Sequence, residues 1–353
     1  MPILHKGCAN MIIFVTMKET TLKTIAEHCG CSVSTVSRVI NGNAEKYRIS
    51  RKTAEAVMAE VTRTGYIPSF TVQSLQSKRS RMIGLLLPSI ANPYFADMAS
   101  HIVSELYKAG YTAILVDTME DAGMLDRSAR ELLLRRVEGM IAVPCGQDPT
   151  VLEMIGKEVP LVLVDRFYEE SGLSYVTTNN FKGGYDATRL LIASGHRRIA
   201  CIQGELDSMP NRERVRGFLK AMGEEGLTEY ASLAGDEFSV QNGYLSTKLF
   251  LFGKEPPTAI FALSNNIMLG TLKAIRESEL SVPDDISLVS FDDNLYIDYL
   301  TPSIARIGQP VENMAKLAVK ILLDRLDHKG TVSASSQIRL LPSVILGASV
   351  AKI

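Results

Sequence analysis

The chain has 353 residues, 46% of them apolar and 22% charged, enough for two or three domains with substantial cores and unlike the composition of a disordered chain. No apolar run approaches the ~18 residues of a membrane span, and five scattered cysteines without a CxxC pair argue against a disulfide framework and against a structural metal. The net charge of −1 hides an asymmetry: residues 18–81 carry 11 Lys and Arg against 5 Glu, a local +6, whereas residues 82–353 carry 26 against 34.

Residues 1–17 read as an extension ahead of the fold, with Met17 as the natural start. The apolar patch from Met11 to Val15 is shorter than the ~7–15-residue core of a signal peptide, so a cytoplasmic protein is expected. From Leu22 to Cys29, the residues Leu22, Ile25, Ala26 and Cys29 share one helical face. Gly30 breaks that helix, and Ser32 or Ser34 can cap a second one running through Asn41. A third runs from an N-cap at Ser50 to Thr64, with Ala54, Val57, Met58 and Val61 inward and Gly65 as its stop. Beyond the break Tyr66-Ile67-Pro68, residues 69–78 form one more short polar stretch with helical potential.

From Met82 the texture changes to short apolar runs alternating with longer helical patterns. Strands are expected at Ile83–Leu87, Thr112–Val116, Gly139–Val143, Leu161–Val164, Ile199–Ile202, Ala259–Leu263 and Ile286–Phe291. Helices are expected at Phe95–Ala109, Lys182–Ser194, Arg212–Glu225, Val240–Phe252, Asn266–Ser278 and Val311–Leu326. Alternation of unbroken apolar strands with helices means parallel sheets covered on both faces. Some 270 residues are too many for one doubly wound sheet and suit two side by side.

Helix, glycine turn, helix is what a helix-turn-helix requires. Ala26 is small where the helices cross, and Val36 packs back against it. The second helix then offers Ser34, Thr35, Ser37, Arg38 and Asn41 to a major groove. An ordinary helical hairpin is the alternative. The run from Thr21 to Gly42, with its Ser-x-Ser-Thr-Val-Ser-Arg-Val string, followed by Gly65-Tyr-Ile-Pro68, closely resembles the DNA-binding headpiece of the LacI/GalR family of bacterial repressors. The resemblance continues through Ser89-Ile-Ala-Asn-Pro-Tyr-Phe95, Val159 to Arg166, Gly195 to Ile199, Arg212 to Phe218, Val282 to Ser287, Phe291-Asp-Asp293 and Gln309-Pro310.

The resemblance implies that Ser34, Thr35, Ser37, Arg38 and Asn41 face double-stranded operator DNA, with Ser32, Val33 and Ser50 beside them. The stretch from Asn41 to Ser50 is longer than in many relatives; its Lys46 and Arg48 are either extra phosphate contacts or a solvated loop. Residues 69–77 match the family's hinge helix, which folds on operator and pushes a leucine, here Leu75, into the minor groove. Ser69 and Val72 depart from the family's usual Asn and Ala there.

For the large domain the resemblance implies the periplasmic-binding-protein fold, two subdomains around a ligand cleft whose closure is the switch. Polar groups are then sought at the carboxyl ends of strands. The candidate effector set is Ser89, Asn92, Phe95, Asp165, Arg166, Asn179, Arg212, Phe238, Asn265 and Asp292, each alternatively a helix cap or surface ion pair. Carboxylates and Arg suit vicinal hydroxyls, and an aromatic ring suits the apolar face of a sugar. Asp292 and Arg212 are the leading candidates. Ser264-Asn265 and Asn179 stand where relatives often carry Asp, which leaves an acidic sugar open as effector.

The expected organisation is therefore a small all-α headpiece at 18–67, a hinge at 68–80, and an α/β effector and dimerisation domain at 81–346. Within it one subdomain spans about 81–177 plus 309–330 and the other about 178–308 plus 331–346, before a tail at 347–353. The expected function is a ligand-responsive transcriptional regulator of carbohydrate genes, a homodimer on a palindromic operator in the cytoplasm, with no cofactor, no metal, no membrane and no catalysis. The alternatives are a solute-binding protein without DNA function and a catabolite-control regulator with a phosphocarrier protein partner.

Overall fold

A computed structural model describes residues 21–66, 79–327 and 335–353. The expected extension at 1–17 and the hinge stretch with Leu75 lie outside the described residues. The chain forms two compact units, divided between Arg79 and Ser80.

The first unit is three helices, α1 (Leu22–His28), α2 (Val33–Ile40) and α3 (Arg51–Thr64). Each starts at a hydroxyl cap: the side chains of Thr21, Ser32 and Ser50 accept from the amides of Thr24, Thr35 and Thr53. Gly30 takes the left-handed conformation (φ 60°) that the α1–α2 turn requires. The small core joins Ile25, Ala26, Val36, Val39 and Val57. Met58, expected inward, is 47% exposed, because only one helical stripe of α3 reaches that core.

The second unit holds, among the described residues, two six-stranded sheets. The first comprises β1 (Met82–Leu87), β2 (Thr112–Asp117), β3 (Gly139–Ala142), β4 (Leu161–Val164), β5 (Ser174–Thr178) and β11 (Gln337–Leu340), in the order β11-β5-β4-β3-β1-β2 and parallel throughout. The second comprises β6 (Ile199–Ile202), β7 (Ala231–Ala234), β8 (Ala259–Ala262), β9 (Ser287–Phe291), β10 (Ala305–Gly308) and β12 (Ser343–Ile345), in the order β12-β10-β9-β8-β6-β7. Only β12 runs antiparallel to its neighbour. One face of the first sheet is covered by helices Pro93–Lys108 and Val311–Asp327, whose Met98, Ile102, Met314, Ala318 and Leu322 pack against Ile83, Leu85, Ile141 and Val162.

The sequence reading misses β5, β7, β10, β11 and β12 and the helices Ala122–Leu134 and Thr150–Glu158. The edge strands lack a continuous apolar run; β7 and β11 are half exposed. The expected placement of 331–346 in the second subdomain needs correction. Residues 337–340 pair in parallel with β5, with Ile338 and Leu340 packed on the first core. The chain therefore crosses between subdomains near Asn179, near Gln309 and at Leu341-Pro342. The expected tail is not loose either: Ser349 is fully buried, bridging Leu288 and Ala305, and the Ile353 amide bonds the Ser194 carbonyl at 2.9 Å.

Candidate functional site

In the headpiece, α2 is fixed by its cap and turns its polar side outward. Ser32 Oγ accepts from the Thr35 amide at 3.1 Å and lies 2.8 Å from the hydroxyls of both Ser34 and Thr35. Val33, Ser34 and Arg38 are exposed, Thr35 and Ser37 half-buried, and Asn41 Nδ2 donates to Ser37 Oγ at 3.4 Å. Ser32 and Ser50 are thus already occupied as caps. An amphipathic helix with a hydroxyl-and-amide face at the surface of a basic unit has the chemistry to meet base edges and phosphates.

In the α/β unit, three helix N-termini converge on one small inner chamber of about 30 Å³: their N-caps Asn92, Ser208 and Ser264 all line it. Their amide dipoles place partial positive charge around two buried carboxylates. Asp165 follows β4 and Asp292 follows β9, at 3% and 5% exposure. Both residues adopt left-handed backbone (φ 66° and 77°), while their amides continue the sheet ladders to the carbonyls of Val176 and Ile307.

Hydrogen bonds link these carboxylates across the two subdomains. Tyr94 Oη donates to Asp165 Oδ1 at 2.6 Å and lies 3.2 Å from Gln309 Oε1, and Gln309 Nε2 donates to Asp292 Oδ1 at 2.6 Å. Burial pushes both carboxyls above the usual carboxylate range, against the pull of Arg166 on Asp165 and of Arg214 on Asp292. Burial, then the charge of Asp165, pushes the Tyr94 hydroxyl up as well.

Two arginines are buried with them. Arg166 forks onto Glu120 (Nη1–Oε2 2.7 Å, Nη2–Oε1 2.9 Å). Burial works against its charge, but Glu120, together with Asp165 and Cys145, holds its pKa above the ordinary value. Arg214 donates through Nε to Asn180 Oδ1 (2.8 Å) and through Nη1 to the Leu263 carbonyl (2.7 Å). Its guanidinium lies 3.6 Å from the Phe291 ring centroid and 4.0 Å from Asp292. At the mouth stand Glu205, Asp236 and Glu237, with the Glu205 carboxyl pushed up by burial and by Glu120.

Of the expected set, Asn92, Phe95, Asp165, Arg166, Phe238 and Asp292 line the inner chamber. Ser89 stands on the outer wall beside Asn92. Three others are not brought in. Arg212 is exposed at the mouth, donating to the Asp207 carbonyl at 2.7 Å, because the helix begins at Met209 and its inward face carries Arg214. Asn179 caps helix Asn180–Ala193 beside a separate cavity. Asn265 is buried against the turn after β9, its Nδ2 facing the Phe291 and Asp292 carbonyls at 3.1 Å and its Oδ1 facing Asn294 Nδ2 at 2.6 Å. Sequence reasoning misses Tyr94, Glu120, Arg214 and Gln309, and of the pair Ser264-Asn265 the structure brings the first rather than the second to the chamber. The sequence reading also misjudges the charge: with Glu120, Asp165 and Asp292 inside and three more acids at the mouth, the cleft is not short of carboxylates.

Residues 21–69 match the model for bacterial regulatory proteins of the lacI family, and residues 188–350 that for a periplasmic binding protein-like domain. The HTH-type transcriptional repressor PurR of Haemophilus influenzae (strain PittEE) is 32% identical over 338 residues, covering 94% of this chain and 99% of the repressor. Among solved structures, the lac repressor dimer bound to operator and the anti-inducer ONPF matches with a TM-score of 0.84 and 27% identity, over 95% of this chain and 100% of that one. A LacI family transcriptional regulator from Enterococcus faecium with bound ribose matches with a TM-score of 0.71 and 28% identity, over 77% of this chain and 99% of its own.

Proposed function

Because the chain belongs to the lacI family of bacterial regulatory proteins, we propose that it is a transcriptional repressor of carbohydrate genes, acting in the cytoplasm as a homodimer on a palindromic operator and released or recruited by a small ligand. The observation that carries this reading is the pairing, in one chain, of a capped helix with an exposed hydroxyl-and-Arg face and a chamber lined by buried carboxylates. One headpiece reads too few base pairs for genomic specificity, which a two-fold dimer on two half-sites supplies.

The chamber's chemistry narrows the ligand class. Arg166 is held by Glu120, and Arg214 by Asn180 and the Leu263 carbonyl, while Asp165 and Asp292 keep free acceptor capacity. A ligand entering here donates hydrogen bonds, as the vicinal hydroxyls of a neutral sugar do, and an acidic sugar meets like charge. In this reading the chamber residues Asp165, Asp292 and Phe238 hold the ligand, with Arg214 steadying Asp292, and Ser34, Ser37, Arg38 and Asn41 read DNA.

The test is selection of bound duplexes from a random pool with the full chain at near-physiological salt, followed by ligand challenge on the enriched duplex. An enriched palindrome released or tightened by a neutral sugar is the expected result. Enrichment of no sequence, with and without a mixture of neutral and acidic sugars, overturns the reading.

A further inference from the structure

The segment between α2 and α3 has a feature that the reading helix alone does not explain. It is a closed turn: the Asn43 amide bonds the Arg38 carbonyl (2.9 Å), Tyr47 bonds Asn43 (3.2 Å), Arg48 bonds Glu45 (3.0 Å) and Ile49 bonds Ala44 (2.9 Å). Ala44 and Ile49 anchor it to the headpiece core. This leaves Tyr47 pinned by its backbone and 47% exposed. Its ring centroid is 4.1 Å from the Arg38 guanidinium carbon and 5.9 Å from Lys46 Nζ. Among the described residues, no carboxylate lies within ion-pairing distance of Arg38, Lys46 or Arg48, whereas Arg51 and Arg63 pair with Glu55 and Glu60.

Arg38 projects from the exposed face of α2, and a free arginine side chain carries ~2 kcal/mol of rotamer entropy that any DNA contact must overcome. A ring stacked on the guanidinium restricts that freedom beforehand while leaving the N–H fork available in the guanidinium plane. We propose that Tyr47 is a positioning residue for DNA recognition, holding the Arg38 guanidinium ready for a pair of acceptor atoms, either the O6/N7 edge of a guanine or two phosphate oxygens. The inference rests on the headpiece being a DNA reader.

The experiment uses the full chain and the duplex that the wild-type chain enriches from a random pool. Tyr47→Ala is expected to weaken binding about three- to fivefold, the size of a surface cation–π contact, and Tyr47→Phe, which keeps the ring, to stay within about twofold. In an Arg38→Ala background, Tyr47→Ala is expected to change nothing further, which a merely structural role would not predict. Repeating the selection with Tyr47→Ala separates the two acceptors: a guanine contact relaxes one base position, whereas a phosphate contact lowers affinity on all sequences alike, with the salt slope falling by about 1 in Arg38→Ala. Wild-type affinity in Tyr47→Ala, or an equal loss with and without Arg38, overturns the proposal. A wild-type chain that enriches no duplex overturns the DNA reading itself, and this inference falls with it.

Discussion

Asp165 and Asp292 sit in left-handed backbone at the ends of two strands, one in each sheet, a conformation that costs a non-glycine residue of order 1 kcal/mol. Each keeps its amide in the sheet ladder while its carboxylate enters the chamber, so strain is accepted to aim an acceptor. Burial raises both carboxyls, so their protonated forms favour the fold: that contribution is present below the ordinary carboxylate range and lost as pH rises through the raised values. For ligand binding the sign is opposite, because protonation removes the charge and turns one acceptor oxygen into a donor. Affinity for a neutral sugar is expected to fall on acidification from pH 7, beginning above the ordinary carboxylate range, as measured by calorimetry against pH. Asp292→Asn is expected to flatten that profile.

Removing Arg214 leaves Asp292 buried beside an empty partner site, so Arg214→Met is expected to lower the stability of the α/β unit by roughly 3 kcal/mol. It is also expected to abolish the ligand-induced shift in melting temperature. Arg212→Ala, at the exposed mouth, should stay within ~0.5 kcal/mol. The distinction was readable in principle. Arg214, Gly217, Phe218, Ala221 and Met222 follow a helical period, and that phase puts Arg214 rather than Arg212 on the inward face. Tyr94 and Gln309, by contrast, are brought to the same carboxylates from 215 residues apart, a distance that no local pattern spans.

Helix pairs set the chamber's geometry. A Cβ added at Gly184 would overlap the Arg214 carbonyl oxygen, so helices Asn180–Ala193 and Met209–Glu224 cross at backbone contact, at the residue whose side chain enters the chamber. Gly184→Ala is expected to separate them, costing about 1–3 kcal/mol and weakening ligand binding by displacing Arg214, to be checked by denaturant unfolding and ligand titration on the same variant. Strands β1, β3, β4, β6, β8 and β9 were legible because each is a short apolar run, whereas the buried internal strands β5 (Ser-Tyr-Val-Thr-Thr) and β10 (Ala-Arg-Ile-Gly) are interrupted by polar residues and were not. The strands β7, β11 and β12 were not, being short and half exposed. Their pairing is decided by the neighbour they meet, as Gln337 meets Tyr175.

At the scale of the molecule, the proposed homodimer requires a second surface. On helix Val240–Leu251 and the residue after it, Leu245, Leu249 and Phe252 are 56%, 67% and 83% exposed at i, i+4 and i+7, an apolar stripe on one side. In a homodimer this stripe is a natural contact between copies. Leu249→Glu is therefore expected to shift the chain toward monomer in sedimentation and to weaken binding to a palindrome at least tenfold, while half-site binding persists. A dimer undisturbed by the substitution would remove the stripe from the interface.

The late return of the chain to its first sheet matters before the protein is ever finished. Sheet residues Ile83, Leu85 and Val162 leave the ribosome early, but one helix that covers them, Val311–Asp327, and the edge strand β11 come only after five of the six strands of the second sheet. At ~5–20 residues per second, a half-covered apolar sheet waits on the order of ten seconds for its cover. The protein's yield in the cell is thus tied to what shelters the nascent chain over that interval, and slow translation between residues 178 and 311 lengthens it.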